Sequence, residues 1–377
     1  MKRMAETLTT VVALSLAASC GRVTESDDRG SADAGGTAGD AGPGSSDASG
    51  PDSSDASSPN GDADPPSCAV NGAGTSICGA SMDNCCTSLE VQGGTYYRTY
   101  DLEPDGGLEL PVDGGPIGEA DPATVSTFRM DKYDVTVGRF RQFVAAWNSG
   151  SGYLPAAGSG KHTHLNAGNG LANVGTAGGY EPGWISTDSQ SIAPTDANLA
   201  CFAPYATWTS TASTQENLPI NCVNWYESYA FCIWDGGFLP SEAEWEYAAA
   251  GGGGPNGQRN YPWGAIDPGS SNQYAIYGDN YAGTSSGIAP VGTANMGGGL
   301  WGQLDLAGNV FQWNLDWFAT YVDPCTDCSN LSPALANRVF RGGDFLYTPM
   351  YLPPPGRFVT VPTDRFSGTG FRCARAP

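Results

Sequence analysis

The sequence is short of positive charge. It holds 17 Lys and Arg against 39 Asp and Glu in 377 residues, a formal net charge of −22. No basic patch is available to neutralise phosphates, which excludes nucleic acid and bare anionic membrane surfaces as partners. Histidine is scarcer still, with only His162 and His164. Glycine (53) and proline (27) are plentiful and point to a loop-rich fold with few long helices. The length suits one large or two medium domains with a substantial core.

The N-terminal apolar stretch, from Leu8 to Ala18, follows a basic start at Lys2 and Arg3 and is too short for a permanent span. It reads as a signal peptide over residues 1–20. Its ending, Leu16-Ala17-Ala18-Ser19-Cys20, matches a bacterial lipobox apart from Ala17, where leucine is usual. Diacylated Cys20 would then anchor the chain stably to the bacterial envelope, at the outer membrane or cell surface. That anchor is the one membrane contact expected. The chain has 11 cysteines. Setting Cys20 aside leaves an even set, which in an exported protein suits disulfides.

Residues 21–67 lack aromatics and nearly all aliphatics beyond alanine, and carry ten acidic against two basic residues. Such a segment cannot bury enough apolar surface to repay its ordering entropy. A disordered tether reaching roughly 40 Å is expected. Residues 68–90 then bring Cys68, Cys78, Cys85 and Cys86 together. Without a CxxC spacing or a nearby histidine, two disulfides suit this module better than zinc, with the pairing left open.

Strands are expected over 91–101 and 126–136. In 136–149, Phe140, Phe143, Val144 and Trp147 form one helical stripe. In 224–237, Asn224 caps a helix with Glu227 three residues on, Tyr226, Ala230 and Trp234 share a face, and Gly236 stops it. Ser241 and Glu244 repeat the capping signal, Glu242 and Glu244 complement the helix dipole, and Gly251 ends that helix. The region from about 148 to 217 shows no periodicity. Within it, an HxH such as His162–His164 can ligate a metal from one strand face, but a Gly/Ser-rich loop favours solvated histidines.

The order of motifs is more specific than any one of them. GGTYYRTYD, FRMDKYDVTVGRFRQFV, NWYESYAFCIWDGG, LPSEAEWEYAAAGG, YPWG, LDLAGNVFQW, RVFRGGDF and GFRCA follow one another. Together they resemble the formylglycine-generating enzyme (sulfatase-modifying factor) family over residues 91–377. The resemblance implies one α+β domain of the C-type-lectin-related kind, rich in irregular structure. It also implies a Cys232–Cys373 disulfide, joining AFCIW to GFRCA. Cys201–Cys222 and Cys325–Cys328 are expected from proximity.

The family's catalysts oxidise a sulfatase cysteine with a copper-binding thiol pair that follows the RGGS segment. Here that segment, 341–358, has no cysteine, and Tyr347 and Leu352 stand at the thiol positions. Neither a phenol nor an alkyl group replaces a thiolate as copper ligand. Copper is therefore not expected, and Pro353–Pro355 imply a reshaped backbone. Cys325 and Cys328 form a CxxC that offers either a displaced copper pair or a small disulfide, and the exported context favours the disulfide. Phe238 replaces an arginine of the family pattern and Gln312 a glutamate. The family's first calcium site would use Asn272, but its later aspartate falls on Gly283. The second would use Asp305 with the carbonyls of Gly308 and Val310, a hard-oxygen set suited to structural calcium. A metal-free glycine turn is the alternative.

Three functions remain: a non-catalytic monomeric lipoprotein binding a protein or glycan, an oxidoreductase with a different active site, and a formylglycine generator with displaced cysteines. The first is favoured. Phe345, Tyr347, Tyr351 and Phe358 would form its binding surface, unless they are core.

Overall fold

Short strands and three well-capped helices, not a dominant sheet, organise the chain. The computed structural model describes residues 64–101, 117–252, 257–333 and 336–377. Cys20, the signal segment and most of the expected tether lie outside the described residues. The strands are β1 (Ser88–Val91), β2 (Gly94–Thr99), β3 (Ala120–Val125), β4 (Phe128–Asp131), β5 (Ala172–Asn173) and β6 (Gly179–Tyr180). They continue with β7 (Phe311–Trp317), β8 (Cys325–Thr326), β9 (Cys328–Ser329), β10 (Arg338–Arg341), β11 (Phe358–Thr360), β12 (Thr369–Gly370) and β13 (Ala374–Arg375). They make four small sheets, ordered β1-β4-β13, β11-β10-β7-β12, β2-β3-β8 and β6-β5-β9. The strands expected over 91–101 and 126–136 are thus shorter than the sequence suggested, with glycine and turn residues trimming both ends.

The helices are α1 (Val137–Trp147), α2 (Asp196–Leu199), α3 (Trp225–Trp234) and α4 (Glu242–Ala250). Thr136 caps α1, while Asn224 and Ser241 each close a complete capping box with Glu227 and Glu244. Such caps satisfy N–H groups that the helix itself leaves unpaired. Gly251, at φ 76°, ends α4 in the left-handed conformation that glycine adopts without strain.

The face expected for α3 is displaced. Tyr226 and Trp234 are only partly buried, whereas Trp225, Tyr229, Phe231 and Cys232 are deeply buried. Their partners come from other elements: Phe231 stacks on Phe140 at 5.8 Å and meets Phe371 edge-on at 5.3 Å. Such aromatic pairs contribute roughly 0.5–1.5 kcal/mol each beyond their area burial.

The cysteine-rich segment packs against this core. Cys68 pairs with Cys86 and Cys78 with Cys85. The tether was expected to run through Ser67, yet Pro66–Cys68 is a 3-10 turn and Ser67 is buried. Ser67 N–H donates to Asp235 Oδ1 at 3.1 Å, and Ser67 Oγ accepts from Arg139 Nε at 2.9 Å. Long-range polar partners order residues whose composition alone reads as linker. Cys232–Cys373, Cys201–Cys222 and Cys325–Cys328 are the other three disulfides among the described residues. Cys232–Cys373 ties α3 to the C-terminal segment, across 141 positions of sequence.

Candidate functional site

β10 delivers Arg341 to the core, and the chain then turns sharply through Gly342 and Gly343, at φ 103° and 76°. A Cβ at Gly342 would stand 3.0 Å from the Leu306 carbonyl oxygen, so this approach demands glycine. Asp344 follows, nearly buried, and its Oδ1 accepts the N–H groups of Leu346 at 2.9 Å and Tyr347 at 3.1 Å. Burial pushes this carboxyl up to about 6, against the pull of those two peptide donors. The acid is therefore spent on shaping its own turn.

The two positions that would carry thiols part company here. Tyr347 is 45% exposed, whereas Leu352 is 1% exposed and packs with Tyr261, Ala275, Tyr277 and Ala307. One faces solvent and the other is core. Arg341 fixes the proline run behind them, with Nη1 donating to the Pro354 carbonyl at 2.6 Å.

Around Tyr347 the sequence's aromatic candidates divide. Phe345 is fully buried against Tyr205, 5.3 Å away. Tyr347 lies 4.6 Å from Tyr351, Tyr351 stacks on Phe358 at 5.2 Å, and Phe358 sits on Phe311 at 4.9 Å. This is an open aromatic shelf along β11, continued by the exposed side chains of Leu346, Met350 and Val361.

Beneath the shelf lies an ionic core. Glu242 accepts from Arg341 Nη2 at 2.7 Å and from Arg357 Nε at 2.6 Å. Burial would raise Glu242, but Arg357 and Arg341 outweigh it and hold the carboxyl below its usual range. Glu246, one turn later, stands 3.0 Å from Arg341 Nη2, and burial pushes it up to about 8. Glu242, in the first turn of α4, thus serves as a buried counter-charge to both arginines as well as a dipole partner.

His162 is not the solvated histidine expected of a loop. It is fully buried, with Nδ1 2.9 Å from Glu181 Oε2 and Nε2 3.0 Å from Glu244 Oε2. Burial alone would lower its pKa, but Glu181 and Glu244 outweigh that and hold the imidazole up at about 10. His164 is half-buried, stacks on Phe238 at 5.7 Å and lies 6.2 Å from His162, but both His162 ring nitrogens are already held by carboxylates rather than free as ligands. Phe238, which the resemblance marked as a departure, is the ring that separates their environments; it lies 3.7 Å from His162.

Asp305 lies in a left-handed turn at φ 58°, followed by Gly308 at φ 78°. It is buried, its Oδ2 accepts the Gly292 N–H at 2.7 Å, and burial pushes it up to about 6 despite Arg372 nearby. A calcium ion there would take Asp305 as its side-chain ligand, with the Gly308 and Val310 carbonyls as the further hard oxygens. Gln312 is a hub that residue type alone did not disclose. Its Oε1 accepts from Trp245 Nε1 at 2.6 Å and Arg372 Nε at 2.7 Å, while its Nε2 donates to the Asp305 carbonyl at 2.6 Å. A glutamate there could accept but not make that donation. Cys325 and Cys328 are joined to each other and buried, which leaves no free thiol among the described residues.

The chain is 29% identical over 324 residues to the formylglycine-generating enzyme of Thermomonospora curvata, spanning 77% of this chain and 93% of the relative. It is 33% identical over 166 residues to the inactive C-alpha-formylglycine-generating enzyme 2 of Mus musculus, spanning 42% and 49%. The solved structure of PvdO from Pseudomonas aeruginosa aligns with a TM-score of 0.49 and 20% identity, over 77% of this chain and 94% of that one. The family model for the sulfatase-modifying factor enzyme 1-like domain matches residues 79–377, and the chain belongs to that family, with its C-type-lectin-like α+β fold.

Proposed function

We propose that the chain is a non-catalytic binding protein of this family, lipid-anchored through Cys20, that presents the aromatic shelf to a partner. The observation that carries this reading is the fate of the two thiol positions, one an exposed Tyr347 and the other a core Leu352. The only thiol-derived pair nearby in sequence, Cys325–Cys328, is oxidised and buried. Oxygen chemistry at a thiolate pair needs both sulfurs free on one ion. A calcium ion at the Asp305 turn would be structural, supplying charge compensation to the buried carboxylate. Anchoring, calcium and the absence of turnover are separate elements of the reading.

The test is direct. The purified chain, supplied with copper, oxygen and a sulfatase-type cysteine peptide, should form no formylglycine by mass spectrometry. Turnover that disappears in Cys325→Ser would replace this reading with a displaced copper centre. Cys20→Ser should move the protein from the detergent to the aqueous phase, and unchanged partitioning would remove the anchor.

A further inference from the structure

We infer that the Cys201–Cys222 disulfide is a thiol-exchange site, at which a low-molecular-weight thiol adds to Cys201 as a mixed disulfide. Ten cysteines are bonded among the described residues, and nine of them are buried. Cys201 alone is exposed, while its partner Cys222 is fully buried. Exchange requires a thiolate to reach a sulfur, so access selects both the bond and the sulfur attacked. The incoming thiolate forms an S–S bond to Cys201 Sγ as the Cys201–Cys222 bond breaks. Cys222 leaves as a thiolate and takes up the proton that the incoming thiol gave up. One disulfide replaces another with no net oxidation, and the Cys222 thiol can reverse the step by expelling the adduct.

The surroundings let this bond open without unfolding the domain. Cys222 is held at φ 58°, a left-handed conformation that a residue with a Cβ adopts at a cost. Two hydrogen bonds hold it there besides the disulfide. Its N–H donates to the Phe366 carbonyl at 3.1 Å, and its carbonyl accepts from Arg365 Nη1 at 2.9 Å. Asn221 pins the opposite flank: its Oδ1 accepts the Thr207 N–H at 2.9 Å, and its Nδ2 donates to the Tyr205 carbonyl at 2.8 Å. All of these bonds survive when the sulfurs part. What is released is the short stretch 201–204, with exposed Phe202 resting 5.5 Å from the Tyr205 ring. Cys232–Cys373 is the opposite case, buried at both sulfurs and tying α3 to the C-terminal segment. A thiol reaches that bond only after global opening.

The test uses the full-length chain in detergent, incubated with reduced glutathione at mildly alkaline pH. Free thiols are then blocked with N-ethylmaleimide and the chain is mapped by non-reducing mass spectrometry. Glutathione should appear on Cys201 and maleimide on Cys222, about tenfold or more ahead of modification at any other bonded cysteine. The modified chain should still melt in one cooperative transition, within a few degrees of the parent. In Cys222→Ser, oxidised glutathione should add to Cys201, whereas in Cys201→Ser it should leave Cys222 unmodified in the folded protein. If a variant fails to fold, mapping of the native chain decides alone. Glutathione on Cys222, earlier exchange at another pair, all five bonds opening together, or no exchange in the folded chain would overturn the inference.

Discussion

His162 donates from Nε2 to Glu244 Oε2 at 3.0 Å, so the helix that caps itself at Ser241 also clamps a buried imidazolium. Glu244 Oε2 accepts the Ser241 N–H at 2.8 Å as well. Local helix initiation and a contact 82 residues away in sequence therefore share one oxygen. The Glu181 carboxylate completes the clamp on the opposite ring nitrogen.

The clamp makes stability sensitive to alkali. His162 is held up at about 10 from an ordinary value of 6.5. A raised pKa means that the folded state binds the proton more tightly, so the contribution is full below about 6.5 and is lost as pH rises through about 10. At roughly 1.4 kcal/mol per pKa unit, a shift of this size is a large share of a domain's stability. The melting temperature should fall between about pH 6.5 and 10, and His162→Gln should be destabilised at pH 6 by roughly 3–5 kcal/mol, the usual result of breaking a buried pair. Its alkaline decline should be shallower than the parent's. Parallel pH profiles for the two proteins would show that the clamp does not carry the proton.

Arg139 joins the cysteine-rich segment to the core and should behave as its bolt. Its guanidinium is fully buried, donating to Asp131 Oδ2 at 2.8 Å, Asp235 Oδ2 at 2.6 Å and the Cys85 carbonyl at 3.2 Å. Arg375 is the second cation on the same two aspartates. Arg139→Met would leave one guanidinium facing two buried carboxylates, a loss of about 3–5 kcal/mol in denaturant unfolding. Proteolysis should then begin within residues 64–87 ahead of the rest. Cleavage starting elsewhere, with those residues still protected, would count against the bolt.

How far the sequence disclosed this fold depends on the range of each signal. Asn224 and Ser241 announce their helices because a cap and its acid partner lie three residues apart, where local chemistry suffices. The displaced face of α3 has a different cause: its rings pack on Phe140 from one side and Phe371 from the other, which periodicity along one helix cannot encode. Sheets of two- to seven-residue strands carry little pattern, and Ala374 reaches Met130 across most of the domain. His162 looked solvated because Glu181 and Glu244 are distant in sequence. By contrast, the missing thiols at Tyr347 and Leu352 could be read directly from residue type. That one was exposed and the other core could not.

The Asp305 turn offers the last test. In the metal-free protein, burial pushes this carboxyl up to about 6 from 3.8. A carboxyl raised in this way favours folding when protonated, so its cost is felt above pH 6 and relieved between 6 and 4. Calcium would offset the same cost at neutral pH by stabilising the ionised form, and a ligand selective for the folded state adds stability by mass action. At pH 7.5, chelation should therefore lower the melting temperature of the parent by several degrees and leave Asp305→Ala unmoved. In chelator, acidification from pH 7 to 5 should recover stability in the parent more than in Asp305→Asn, which carries no titrating group there. Equal chelator shifts in parent and Asp305→Ala would place the metal elsewhere, and no shift in either would make the turn a metal-free glycine turn tied down by Gly292 and Gln312.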